Sequence, residues 1–138
     1  MQAVTLWDPF LAAAESQPGL KNLRDGSGLS NNRTFYLSTA RYADEHRALL
    51  KTFFAELSKV SQWANAKPAE VAALLAPQLG ISTQVLEVAS ERRNYNAVAI
   101  TPQIVAEQQK LADTFQGLGL IPRKLQVAEA VYPASVLP

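Results

Sequence analysis

The densest group of hydrogen-bond donors in the chain is Arg92-Arg93-Asn94-Tyr95. Two guanidiniums, an amide and a phenol in four residues can hold an anion, or they can sit solvated at a helix end, where the arginines complement the helix dipole. Elsewhere the residue types argue against bond-breaking chemistry. No pair of carboxylates and no nucleophile-base spacing presents itself. There is no cysteine, which excludes disulfide scaffolds, thiol catalysis and Cys-type zinc sites. The single histidine, His46, lies beside Glu45 and reads as a surface residue; alone it makes neither a metal cluster nor a conventional triad. Gly26-Ser27-Gly28 lacks the pattern that would make it a phosphate loop. The expectation is a protein that is not an enzyme and needs no cofactor or metal.

Composition narrows the class further. The 138 residues carry 13 Lys+Arg against 12 Asp+Glu, a net charge of +1, which removes the electrostatic footprint of a nucleic-acid or anionic-membrane binder. Hydrophobic residues at 48% and charged residues at 18% fit a globular chain. No apolar run approaches the roughly 20 residues of a membrane helix. The opening Met1-Gln2-Ala3-Val4 lacks the basic start and apolar stretch of a signal peptide.

The elements that must position these residues fall into two regimes. Alternating or β-branched and aromatic stretches at residues 3–7, 20–24 and 33–38 predict short strands. Asp8-Pro9 is a cap and first helical position for a helix over 10–15, which Gln17-Pro18-Gly19 ends. Asp25-Gly26-Ser27-Gly28 predicts a turn. From about residue 45 the period changes to 3.6. Leu50, Phe53, Phe54, Leu57, Val60 and Trp63 share one face of a long helix and read as core. Lys67-Pro68 starts the next helix, with Val71, Leu74, Leu75 and Leu79 as its stripe; Pro77 should end or kink it at Ala76, and Gly80 suits the left-handed position after it. Ser82 caps a helix carrying Val85, Leu86 and Ala89, and Thr101-Pro102 starts another with Ile104, Val105, Leu111, Phe115 and Leu118. Gln108 and Gln109 lie on its polar side and need no function, and residues 121–138 predict a wrapping tail. Two or three strands without neighbours, followed by four helices, point to the C-terminal part of a larger α/β protein.

Four stretches, in order, carry a family resemblance: Trp7-Asp8-Pro9-Phe10-Leu11-Ala12-Ala13-Ala14-Glu15; Ser30-Asn31-Asn32-Arg33-Thr34-Phe35-Tyr36-Leu37; Ala64-Asn65-Ala66-Lys67-Pro68-Ala69-Glu70-Val71-Ala72-Ala73-Leu74-Leu75; and Ala112-Asp113-Thr114-Phe115-Gln116-Gly117-Leu118-Gly119-Leu120-Ile121-Pro122. Together they resemble the C-terminal half of the aliphatic-sulfonate-binding proteins of bacterial ABC importers, within a broader class that also binds taurine, nitrate and pyrimidine precursors of thiamine. The resemblance implies an α/β fold: the C-terminal part of a two-lobed, type II periplasmic binding protein, helix-rich with two or three short N-terminal strands. Residues 1–44 would end the second lobe and supply a hinge strand. Residues 45–138 would form the C-terminal helical part of the first lobe and the tail. The implied partners are an alkanesulfonate, an ABC permease of the inner membrane and the N-terminal half of the same fold. The implied location is the periplasm. A truncated helical interaction domain without a transport role is the alternative from another class.

A sulfonate has three acceptor oxygens and an alkyl tail, so it wants N–H and O–H donors, an arginine and an apolar wall. Against that need, the resemblance nominates seven residues. Trp7 can supply the wall and Phe10 a backbone donor, or both can be ordinary core. Asp8 suits an anion poorly and can instead cap the helix or bond hinge backbone or an arginine. Asn32 and Arg33 offer donors at the hinge strand, or are a turn amide and a solvated charge. Arg93 and Tyr95 match a family segment of two basic residues and a tyrosine. The glycine and later proline that usually follow there are replaced by Asn96 and Ala99.

Overall fold

A computed structural model describes residues 3–29 and 31–132. Six α-helices form among them: α1 Phe10–Glu15, α2 Ala40–Glu45, α3 Arg47–Ala66, α4 Pro68–Leu79, α5 Thr83–Glu91 and α6 Pro102–Gly117, followed by a 3-10 helix, Val127–Ala130. None of them is long and apolar enough to cross a membrane. The backbone divides into two compact units, Met1–Leu37 with Ser58–Asn96, and Ser38–Leu57 with Ala97–Pro138.

The helix starts follow local chemistry. Thr39, Ser82 and Thr101 each turn a hydroxyl onto a backbone N–H three residues on, those of Tyr42 (3.2 Å), Val85 (3.4 Å) and Ile104 (3.3 Å), each satisfying one of the donors that a helix start leaves open. Pro68 and Pro102 occupy first-turn positions, where a missing N–H costs nothing. At the other end of α4, Gly80 adopts φ 66°, and its N–H bonds the Ala76 carbonyl at 3.0 Å. The Asp25 carboxylate accepts from the Ser27 N–H at 2.9 Å, making the predicted turn, with Gly28 at φ 72°.

Two expectations need correction and a third is narrowed. No strand forms among the described residues: residues 3–7, 20–24 and 33–38 are irregular backbone. A strand exists only in a ladder with a neighbour, and none of these segments finds one here; Arg33 N–H, for example, bonds the nearby Asn31 carbonyl at 3.0 Å. Of the two outcomes expected of Pro77, an end at Ala76 is not the one seen: Pro77 falls in the last turn and the helix runs on to Leu79. The stripe on α3 is not core. Small residues, Ser61 and Ala64, are what that helix buries, while Phe53 is 46% exposed and Val60 and Trp63 are exposed too. Periodicity identifies an apolar face but not what covers it.

The first unit is built on the α4–α5 pair, joined through Gly80 and its following residues, with α1 against α5. Its buried apolar residues are Ala12 of α1, Ala64 of α3, Val71 and Ala72 of α4, and Leu86 and Ala89 of α5. Alanine at four of these six places lets helices approach closely but buries little area per residue. In the second unit Ala43 and Ile104 are buried. There the tail is held by Gln109 of α6, whose Oε1 accepts from the Val127 N–H at 2.9 Å while Nε2 donates to the Leu125 carbonyl and to Asp113 Oδ1, both at 2.9 Å. The polar face of α6 therefore has a use that its sequence did not disclose.

Candidate functional site

The first unit contains a small open pocket of about 70 Å³. Three elements build it. Leu75 and Leu79, four apart on one face of α4, and Leu86 and Ala89 of α5 give an apolar floor. Asp8 and Pro9 come from the turn into α1. Ser90 of α5, and Arg93 and Tyr95 from the segment just after it, bring the polar groups. The space admits a few water-sized groups, which suits the end of a small ligand rather than a whole large one.

The electrostatics turn on Asp8, whose side chain is 18% exposed. Its Oδ1 accepts from the Ala12 N–H at 3.0 Å, one of the open donors of α1, and lies 3.5 Å from Arg92 Nη1. Arg92 Nη2 also donates to Glu15 Oε2. The Glu15 carboxylate, and Asp8 after it, hold the Arg92 proton more firmly than usual, with partial burial opposing them. Arg92 is thereby shared between two carboxylates, with Glu15 the closer, and Asp8 is already held by Arg92 and the Ala12 N–H. Arg93 is different. Its backbone N–H bonds the Ser90 carbonyl at 3.1 Å, and it lines the pocket with Tyr95 and Ser90. One cation and two hydroxyl-bearing residues at the edge of an aliphatic floor suit a small anion with an apolar tail.

A curated protein of Escherichia coli (strain K12), named for binding aliphatic sulfonates, is 27% identical over 138 residues, covering 99% of this chain and 43% of its own length. The crystal structure of the periplasmic aliphatic sulphonate binding protein SsuA from Escherichia coli matches with a TM-score of 0.84 and 27% identity, over 93% of this chain and 42% of that one. The chain resembles a sulfonate-binding protein along nearly its whole length. It spans less than half the length of either relative. No protein-family model matches it.

Of the seven nominated residues, Asp8, Arg93 and Tyr95 meet at the pocket. Trp7 and Phe10 do not line it. They pack edge to face, ring centroids 6.2 Å apart, and are 66% and 53% exposed, so neither is an ordinary core residue. Asn32 and Arg33 are exposed and also lie outside the pocket lining. Sequence reasoning missed Leu75, Leu79, Leu86 and Ala89 as pocket residues because an apolar stripe reads as core. It also read Arg92 as a solvated helix end. The acid at Glu15, following Asp8 at nearly two helical turns, is the signal that α1 presents a two-carboxylate edge to a basic partner.

Proposed function

We propose that this chain is part of a solute-binding component of an ABC importer that captures aliphatic sulfonates. The observation that carries the reading is the structural likeness to a sulphonate-binding protein over 93% of the chain. The arrangement of Arg93, Tyr95 and Ser90 over an aliphatic floor supports it. Arg93 donates to the sulfonate oxygens, Tyr95 and Ser90 add hydroxyl donors, and the leucines of α4 and α5 meet the first carbons of the tail. Asp8, bonded to the Ala12 N–H and to Arg92, orders the turn into α1. Trp7 and Phe10 offer an aromatic wall beside that turn, and Asn32 and Arg33 supply hinge donors.

On this reading the N-terminal half of the fold supplies the remaining ligand contacts. The protein works in the periplasm and delivers its ligand to an inner-membrane permease. No bond is broken; the ligand stabilises the closed form only through contacts that the open form lacks.

Calorimetric titration of the whole protein with ethanesulfonate tests the reading. Saturable binding, weakened roughly 10- to 100-fold by Arg93→Ala, is expected for the loss of a charge-assisted hydrogen bond. Absence of binding by the wild-type protein to ethanesulfonate and longer alkanesulfonates would overturn it.

A further inference from the structure

Arg93 and Tyr95 reach the pocket from a segment without regular structure, so something must fix that segment's path. The geometry points to Asn65. This residue sits next to the end of α3, 30 positions before Tyr95. Its Oδ1 accepts from the Tyr95 backbone N–H at 3.0 Å, and its Nδ2 donates to Asn96 Oδ1 at 2.8 Å. The Asn96 N–H donates to Asn94 Oδ1 at 3.0 Å, which curls the segment locally. The Arg93 N–H is bonded back to the Ser90 carbonyl, so the segment is tied at its start by α5 and at its end by α3.

We propose that Asn65 is a positioning residue of the anion site: its carboxamide holds residues 93–96 so that Arg93 and Tyr95 line the pocket. A carboxamide places a donor and an acceptor on one short planar group. Asp keeps the acceptor for Tyr95 and loses the donor to Asn96; Ala loses both. Asn65 touches neither the pocket nor, on this account, the ligand, so its effect on binding runs through Tyr95 and Arg93. The inference rests on the sulfonate reading for the identity of the ligand, but not for the anchoring itself.

Two measurements on the whole protein separate these. The first is amide hydrogen exchange, which needs no ligand. In Asn65→Ala the Tyr95 amide should exchange roughly three- to tenfold faster, the size expected for a net hydrogen bond open to water, with α4 and α5 amides unchanged. Asn65→Asp, the milder variant, should keep most of the Tyr95 protection. Unchanged Tyr95 exchange in Asn65→Ala, or Asn65→Asp as fast as Asn65→Ala, overturns the anchoring. The second is calorimetric titration with ethanesulfonate as a double-mutant cycle. Asn65→Ala should weaken binding roughly three- to tenfold in the wild-type background and have little further effect in Arg93→Ala/Tyr95→Ala, where the segment has neither side chain left to position. An equal loss in both backgrounds means that Asn65 supports stability only, and overturns the positioning role. If the wild-type protein fails to bind ethanesulfonate, the sulfonate reading falls, while the exchange result still decides whether Asn65 holds the segment.

Discussion

Tyr132 donates its phenolic proton to Asp44 Oδ1 at 2.7 Å, joining residues 88 positions apart. The same oxygen accepts from Arg47 Nη2 at 2.7 Å, and the Arg47 guanidinium lies 6.0 Å from the centre of the Tyr132 ring. With Gln109 holding Leu125 and Val127, this cluster fastens the tail at a second point within its unit.

The Tyr132–Asp44 contact makes tail attachment depend on pH at both ends. The Tyr132 hydroxyl, then Arg47, hold the Asp44 carboxyl below the usual aspartate range, so its contribution is present above the ordinary carboxylate pKa and is lost as pH falls through the lowered value. Asp44, accepting the phenolic proton, holds Tyr132 above the usual tyrosine value, so that contribution is present below about pH 10 and is lost as pH rises through the raised value. Proteolytic release of the tail should be slowest between about pH 4 and pH 10, and faster in Tyr132→Phe across that window. A flat pH profile in the wild type would contradict this. The groups are open to water, so added salt should shrink the Arg47 part.

Arg92→Ala removes the bonds to Glu15 and Asp8, which tie α1 to the end of α5. The Arg92 side chain is 40% exposed, so the stability loss in urea should stay within about 1 kcal/mol. Binding should suffer more than folding. The Asp8 carboxylate then lies at the pocket with only the Ala12 N–H on it, and ethanesulfonate affinity should fall as a result. Asp8→Asn in the same background should recover part of that affinity.

Leu86 is 3% exposed in the α4–α5 pair and also forms pocket floor. Leu86→Ala should cost about 2–5 kcal/mol, by lost transfer energy and a residual cavity, measured by denaturant unfolding.

Gly80 tests backbone strain alone, because a Cβ placed there meets nothing within 4 Å while φ is +66°. Gly80→Ala should cost about 1–2 kcal/mol, and Gly80→Asn less, since Asn tolerates the left-handed region better. A neutral Ala variant by thermal melting would show that the α4–α5 connection can re-route.

What was legible in the sequence was local. Ser82, Thr101-Pro102 and Gly80 act on backbone groups within four residues, so their types and positions alone locate three helix boundaries. Residues 33–38 carry the composition of a strand, but a strand needs a partner that no nearby residue specifies. Burial failed on the same ground: the α3 stripe is apolar at the right spacing, yet what covers Phe53 and Val60 is not encoded in that spacing. Within the site, Arg93 and Tyr95 stood out as a cluster of donors, while Asn65 did not. An amide that bonds backbone 30 residues away leaves no periodic trace.

The Gln109 carboxamide meets the tail as another peptide group would, offering an acceptor to one main-chain N–H and a donor to one main-chain carbonyl. Neither contact reads a side chain. Residues 125–127 are thus free to drift in evolution without loosening this hold, with one exception. A proline at 127 would delete the donor, so related chains that keep the glutamine should vary widely in this stretch while avoiding that single replacement.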